Sequence, residues 1–374
     1  MIQIVSLTPK EYGEASIFLE SQNKKRDAPF WQQRFKFWWD QNPALDGHNN
    51  TRGWIIKEEN NVVGFIGNIP TQFQLFNKEV LAFNGTNLVI APEYRKYSIK
   101  LFLNQVNYSP IVFMTTPSDH TIPIFSTFKI PLLPRGTNTK YYNKSIIILN
   151  FGNLLKKKSS NSFKSTGINK YSLKILEKLM ILPVLGNGLI FGLNSFFNIY
   201  QSIKAYKLKC TDNWEIKQIT HADSSFDELW ERTKQLYPNT NIRTSDVINW
   251  YLSQTNRKII LFGGYLNNKL MGYILCKVYD SKMECIDLWI DPVQIGILDA
   301  FIQKVKEYSK KEGISLLIFP HFNRQLGEEY IRRGLITIAF DERKDYFKLN
   351  CSNNEEINEN NSYFVGLQGD HDLW

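Results

Sequence analysis

Cysteine is scarce in this chain. Its 374 residues hold four, Cys210, Cys276, Cys285 and Cys351, and no two form a CxxC pair. A disulfide framework is therefore not expected, and a reducing compartment is. No cluster of residues has metal-ligand spacing, so no metal is expected. Arginine-rich arrays, zinc-finger spacings and RNA-binding signatures are missing too, which ranks nucleic acid last among partners. The opening MIQIVSLTPKEYGEAS reaches Lys10 and Glu11 before a signal-peptide apolar core can form. The expected location is cytoplasmic.

What is present points to globular protein: 43% hydrophobic and 22% charged residues. The length exceeds one ordinary core and suits two domains. Aromatics reach 14%, with 9 Trp and 25 Phe, enough for large buried clusters. The net charge of +9 suits a nucleic acid, an anionic membrane or a phosphorylated cofactor.

A divergent repeat organises the chain. Leu88-Val89-Ile90-Ala91-Pro92 and Leu288-Trp289-Ile290-Asp291-Pro292 both read L-x-I-x-P, a short apolar strand stopped by proline. Upstream lie Val63-Gly64-Phe65-Ile66 and Met271-Gly272-Tyr273-Ile274, preceded by Asn-rich hairpin turns at Asn60-Asn61 and Asn267-Asn268. Paired aromatics, Trp38-Trp39 and Trp250-Tyr251, come earlier still. Downstream are the buried-looking strands Ile111 to Met114 and Leu316 to Phe319. Five correspondences in one order, about 200 residues apart, indicate domain duplication rather than a solenoid. In each half an opening strand (Ile2 to Leu7; Trp214 to Ile219) leads into helices, antiparallel strands, a helix, a strand, a helix and a final strand pair. Phe226, Leu229, Trp230, Thr233 and Leu236 share one helical face, as do Leu298, Phe301, Ile302, Val305 and Tyr308, with Gly313 placed as a C-cap.

That order resembles the GCN5-related N-acetyltransferase (GNAT) fold over most of residues 1–150 and 210–350. The resemblance implies an α/β (α+β) chain of two tandem domains, each a mixed, mostly antiparallel sheet flanked by helices. More narrowly, it is similar to tandem acetyltransferase-like proteins of bacterial surface-polysaccharide clusters. The family pattern V-x-P-x-x-R-x-x-G-x-G/A aligns with Val89 to Leu101, placing Arg95 on the leading basic position, Ser98 on the first glycine and Lys100 on the second. A pyrophosphate needs backbone N–H donors at a helix N-terminus and a chain small enough to approach it. Lys100 is thus a departure, supplying charge in place of a close contact or else blocking the site. The matching second-half loop, Val293 to Leu298, has one glycine and no basic residue, and reads as a degenerate copy. Thr115 to His120, Phe125 and Phe128-Lys129-Ile130 resemble the family's polar strand end, helix and exit.

The resemblance implies acetyl-CoA, or another acyl-CoA, as donor. Leu88, Val89, Ile90, Arg95, Lys96, Ser98 and Lys100 are the expected cofactor-binding residues, with the backbone amides of the first three polarising the thioester carbonyl. Amine acylation otherwise needs the reactants held together and a proton removed. Candidates for that proton chemistry are His120, Asp119 and Tyr94; the alternatives are a solvated loop histidine and a packing tyrosine. After a polar tract the chain regains aromatics and a Gly-Asp-His-Asp cluster. A tail over 351–374 that docks back would offer Asp370, His371 and Asp372 to the acceptor; a merely packed tail is the alternative.

Residues 151–209 belong to neither repeat. Lysines dominate their start, and Leu179 to Tyr200 carries no charge. Its apolar residues have helical spacing, while Pro183, Gly186 and several Asn disfavour a true span. A helical insert packing on the domains ranks first, peripheral membrane contact second. The expected function is acyl-CoA-dependent N-acylation, acetyl foremost, of a small amine, with an amino sugar for surface polysaccharide as the suggested acceptor. A Fem-like aminoacyl transferase and a non-catalytic tandem scaffold are the alternatives. The oligomeric state is left open.

Overall fold

The computed structural model describes residues 1–23, 25–45, 51–115, 117–134, 142–150, 214–255, 257–291, 295–340, 345–351 and 356–365, with Asn153, Gly192 and Ser195. The expected insert over 151–209, apart from those three residues, lies outside them, as does the cluster Asp370, His371 and Asp372.

Hairpins set the architecture. Strand β1 (Ile2–Ser6) is followed by helices α1 (Tyr12–Gln22) and α2 (Ala28–Phe35). Asp27 caps α2 by accepting the Phe30 N–H at 3.0 Å. A π-helical turn, Lys36–Asp40, then carries Trp38 and Trp39 into the core. Strands β2 (Gly53–Glu58), β3 (Asn61–Leu75) and β4 (Lys78–Ile90) form a meander. Phe76 and Asn77 link β3 to β4 with φ of 50° and 60°, the left-handed pair of a type I′ turn. Helix α3 (Ser98–Val106), strand β5 (Ile111–Met114), the short helix α4 (Ile122–Thr127) and strand β6 (Tyr142–Ile148) complete the first half.

The second half repeats the plan: β7 (Glu215–Ile219), α5 (Ser224–Thr233), the short β8 (Asn239–Asn241), α6 (Ser245–Leu252), then the meander β9 (Lys258–Leu266), β10 (Lys269–Tyr279) and β11 (Lys282–Ile290). Its turns, Asn267-Asn268 and Asp280-Ser281, are again left-handed pairs. Helix α7 (Ile297–Lys311), β12 (Leu316–Pro320), α8 (Arg324–Arg332), β13 (Ile336–Phe340), β14 (Tyr346–Leu349) and β15 (Ser362–Tyr363) follow. Phe226, Leu229, Trp230 and Thr233 of the expected α5 stripe and Leu298, Phe301, Ile302 and Val305 of the α7 stripe are buried, Leu236 (beyond α5) and Tyr308 are half-buried, and Gly313 has the left-handed φ of 66° beyond α7.

Two sheets result. One runs β1-β2-β3-β4-β5-β14, with β8 pairing β3 where β2 stops and β15 pairing β8. The other runs β7-β9-β10-β11-β12-β6-β13. The repeat is exact in register at the proline motif: Gly64 faces Ile90, and Gly272 faces Ile290. These are the mixed, mostly antiparallel sheets flanked by helices that the resemblance implies.

One connection differs from two self-contained repeats. Strand β6, on the first side of the expected boundary at 150, pairs with β12 and β13 of the second sheet. Strand β14, on the second side, pairs with β5 of the first. Each half thus closes the other's sheet. The run Ser145-Ile146-Ile147-Ile148 is buried throughout and suits a strand hydrogen-bonded on both edges. The halves also share a core: the Phe37 and Trp250 rings stack at 4.8 Å, and Trp250 Nε1 donates to the Phe37 carbonyl at 2.8 Å.

Candidate functional site

A cleft opens where β4 and β5 part. The two strands pair in parallel at Phe83–Val112 and Asn84–Phe113, and no further along β4. The cause is local. Between the Phe65–Val89 and Gly67–Thr86 pairs β4 contains an extra residue, and Asn87 takes a left-handed φ of 51°. Such a bulge twists and re-aims its strand, and asparagine is among the few side chains that tolerate this conformation.

The cleft has a volume of about 220 Å³. Residues 85 to 89 form one wall, Met114, Thr115, Pro117 and Ser118 the other, and Phe102, Gln105, Thr121 and Phe125 close it from the helices. Gln105 Nε2 donates to the Gly67 carbonyl at 2.7 Å, anchoring α3 across the strands. A Cβ on Gly85 would lie 2.6 Å from Gln105 Oε1, so glycine is needed there for close approach. At the inner end the Thr115 hydroxyl donates to Asn84 Oδ1 at 3.3 Å. The Nδ2 groups of Asn84 and Asn87 are buried without a hydrogen-bond partner. Buried donors are normally satisfied, so Asn87, on the cleft wall, has a free donor for whatever enters.

The sequence-derived residues fall into three groups. Leu88 and Val89 line the cleft; Ile90, the last residue of β4, is half-buried beside them. The turn Pro92–Tyr97 is a 3₁₀ helix running straight into α3, with Arg95, Lys96 and Lys100 exposed and Ser98 half-buried. The Ser98 N–H is already bonded to the Arg95 carbonyl, so that amide is taken. Neither Tyr97 nor Lys100 is among the residues lining the cleft. The Tyr94 hydroxyl donates to the Glu58 carboxylate at the end of β2, which raises its pKa. Asp119 and His120 are exposed beyond β5 and do not line the cleft, although their neighbours Ser118 and Thr121 do.

Sequence reasoning missed Asn84, Asn87, Gln105 and Thr115. A left-handed asparagine inside an apolar strand leaves one faint signal, the Asn84-Gly85-Thr86-Asn87 run. Gln105 lies on an otherwise ordinary helix face.

The corresponding place in the second half is nearly filled. There β11 and β12 pair from Lys282–Leu316 to Glu284–Ile318, and the space beyond has a volume of about 60 Å³. Tyr363 of β15 occupies it. Its ring meets Trp289 edge-on at 5.4 Å and Tyr237 at 5.1 Å, and its hydroxyl donates to the Leu288 carbonyl. Burial pushes the Tyr363 hydroxyl pKa well above the ordinary value. Phe364 and Val365 are fully buried, Phe364 stacking on Phe73 at 6.0 Å.

Among the described residues no group of His, Cys, Asp and Glu could hold a metal ion, and no helix is long and apolar enough to cross a membrane.

No model of a known protein family matches the chain, and no curated protein matches it in sequence. Solved structures do match it in shape. A protein from Enterococcus faecalis, described as a probable N-acyltransferase, superposes with a TM-score of 0.57 at 8% identity, covering 94% of this chain and 73% of that one. A GCN5-related N-acetyltransferase from Kribbella flavida gives 0.54 at 10% identity, covering 94% and 72%. N-myristoyltransferase from Saccharomyces cerevisiae, crystallised with myristoyl-CoA and inhibitors, gives 0.51 at 12% identity, covering 97% and 84%. The chain therefore has the fold of the GCN5-related N-acetyltransferases, and the match extends over both halves.

Proposed function

We propose that this protein is an N-acyltransferase that takes a short acyl group, acetyl foremost, from coenzyme A in the β4–β5 cleft of the first half and delivers it to an amine. One observation carries the reading: the two strands separate just after Asn84 to leave an open cleft, closed on one side by Phe102 and Gln105 of α3. Chains that share the fold are N-acetyltransferases and an N-myristoyltransferase crystallised with its acyl-CoA.

The chemistry follows from the site. The pantetheine arm lies between the parted strands, along Leu88 and Val89. The basic turn, Arg95, Lys96 and Lys100, sits where the diphosphate emerges, adding charge to the positive end of α3. The amine lone pair attacks the thioester carbonyl carbon. The C–S bond then breaks, and coenzyme A leaves as a thiolate that takes up a proton while the amine loses one. Asn87 Nδ2 supplies a hydrogen bond to the carbonyl oxygen as negative charge develops there. Holding the reactants together supplies most of the rest. His120 and Asp119, at the outer rim, are the nearest of the proposed proton acceptors to the cleft. The polar inner end, closed by Asn84 and Thr115, favours a short acyl group over a fatty one. An amino sugar, made for a surface polysaccharide in the cytoplasm, remains the proposed acceptor.

Calorimetry with acetyl-CoA and with myristoyl-CoA tests the reading. One site per chain for acetyl-CoA is expected, weakened in Arg95→Ala. No binding of either thioester by the wild type overturns it.

A further inference from the structure

Five polar atoms lie buried and unpaired on one face of the first sheet: Thr71 Oγ1, Asn84 Nδ2, both amide atoms of Asn241, and Arg243 Nη2. All four residues are at most 6% exposed. The strand register brings them together. Asn84 opposes Ile69 across β3 and β4, so it shares a face with Thr71, two residues on. Asn241 opposes Phe73 on that same face. Arg243 is two residues beyond Asn241, and the Ile242 N–H donates to the Gln72 carbonyl at 3.1 Å, keeping the segment alongside β3. The antiparallel register that sets Asn241 opposite Phe73 sets Arg243 opposite Thr71, so the groups gather around Thr71, with Asn84 on one side, Arg243 on the other and Asn241 beyond.

The Asn84 side meets the cleft. Thr86 and Thr115 line the cleft, and Thr115 donates to Asn84. The Arg243 side is held rigidly. Arg243 Nε reaches Asp287 Oδ1 at 3.3 Å and Oδ2 at 3.1 Å, Nη1 donates to Thr240 Oγ1 at 2.8 Å, and the guanidinium lies 4.0 Å over the Trp289 ring. Only Nη2 faces no acceptor.

An unmet hydrogen bond at a buried group is destabilising, and folded proteins carry few of them. Five on one face leave hydrogen-bonding capacity for an occupant. The free groups are mainly donors: two amide nitrogens and a guanidinium nitrogen, against one amide oxygen and a hydroxyl that can do either. Such a surface fits a molecule rich in oxygen acceptors and discriminates against one lacking them.

We propose that this cluster is the acceptor site, and that it selects an amine bearing several hydroxyl or carbonyl oxygens, an amino sugar, over an alkylamine of equal size. The inference rests on the acyltransferase reading. In that reading the acyl carbonyl sits at the inner end of the cleft, and the acceptor nitrogen approaches it from beside Asn84.

The test is thiol release from acetyl-CoA by the full chain, with glucosamine, galactosamine and mannosamine against cyclohexylamine. The best amino sugar is expected to exceed cyclohexylamine at least about tenfold in kcat/KM. Thr71→Val and Asn241→Leu should each raise the sugar KM about tenfold and leave the acetyl-CoA KM unchanged. Thr71→Val removes an unpaired buried hydroxyl with little change of shape, so its Tm should hold or rise; this separates lost binding from lost folding. Equal or better use of cyclohexylamine, or variants that leave the sugar KM unmoved, overturns the proposal. If acetyl-CoA binds but no amino sugar is acylated, this inference falls alone; if acetyl-CoA does not bind, the acyltransferase reading falls with it.

Discussion

The two halves of this protein share a strand plan, a register and even the glycine opposite the proline motif, yet their β-strand splits have opposite fates. In the first half the split is open, with a left-handed asparagine and its unpaired donor on the wall. In the second, Tyr363 and Tyr237 stand against Trp289 and leave about 60 Å³. The turn beyond each split agrees. The first carries three exposed basic residues; the second starts α7 from Ile295 and Gly296 with none. Under the proposed function one copy serves chemistry and the other support, and the aromatic strand that returns from the C-terminal side fills the split of the second.

The strongest way to break that contrast is Tyr363→Ala. Removing a buried aromatic should cost about 3–5 kcal/mol of stability, measured by denaturant unfolding. Acetyl-CoA stoichiometry should stay at one, because the second turn has no basic residue to hold a diphosphate. A second binding site in this variant would show that Tyr363 alone separates the halves.

Acid should act through the second half. His321 is fully buried, its Nε2 lies 2.8 Å from Ser145 Oγ, and burial lowers its pKa to about 4. The unfolded chain takes up that proton near pH 6.5. Its contribution is therefore complete above pH 6.5 and is lost as pH falls toward 4, by roughly 3 kcal/mol. His321→Gln should flatten this part of the stability–pH curve, read by urea midpoints across that range.

Asn87→Gly sharpens the contrast within the open cleft. Glycine keeps the left-handed backbone and deletes the donor. A fall in kcat of about tenfold or more is expected, with acetyl-CoA affinity little changed. The smallest effect belongs to the exposed charges. Arg95→Ala and Lys100→Ala should each weaken acetyl-CoA binding by about two- to fivefold at low salt, and less at 0.5 M NaCl, where screening is strong.

Much of the fold was legible in the sequence because it rests on local rules. Alternating apolar runs, left-handed asparagine turns and helical stripes mark strands, hairpins and helices wherever they occur. Of the candidate site, Leu88 and Val89 could be placed on the cleft wall from the proline motif. Asn84, Thr71, Asn241 and Arg243 could not, because they come from three strands and both halves, and only register unites them.

The sequence by itself determined the doubled plan and the order of elements along each half. Those follow from periodicity and turn chemistry, which act over a few residues. The tertiary structure alone decided that β6 and β14 trade sheets, that Tyr363 fills one split and leaves the other open, and that unpaired donors gather beside the open one. Each of those depends on pairing between residues about 75 to 240 positions apart, and neither composition nor periodicity encodes which partner such a residue will find.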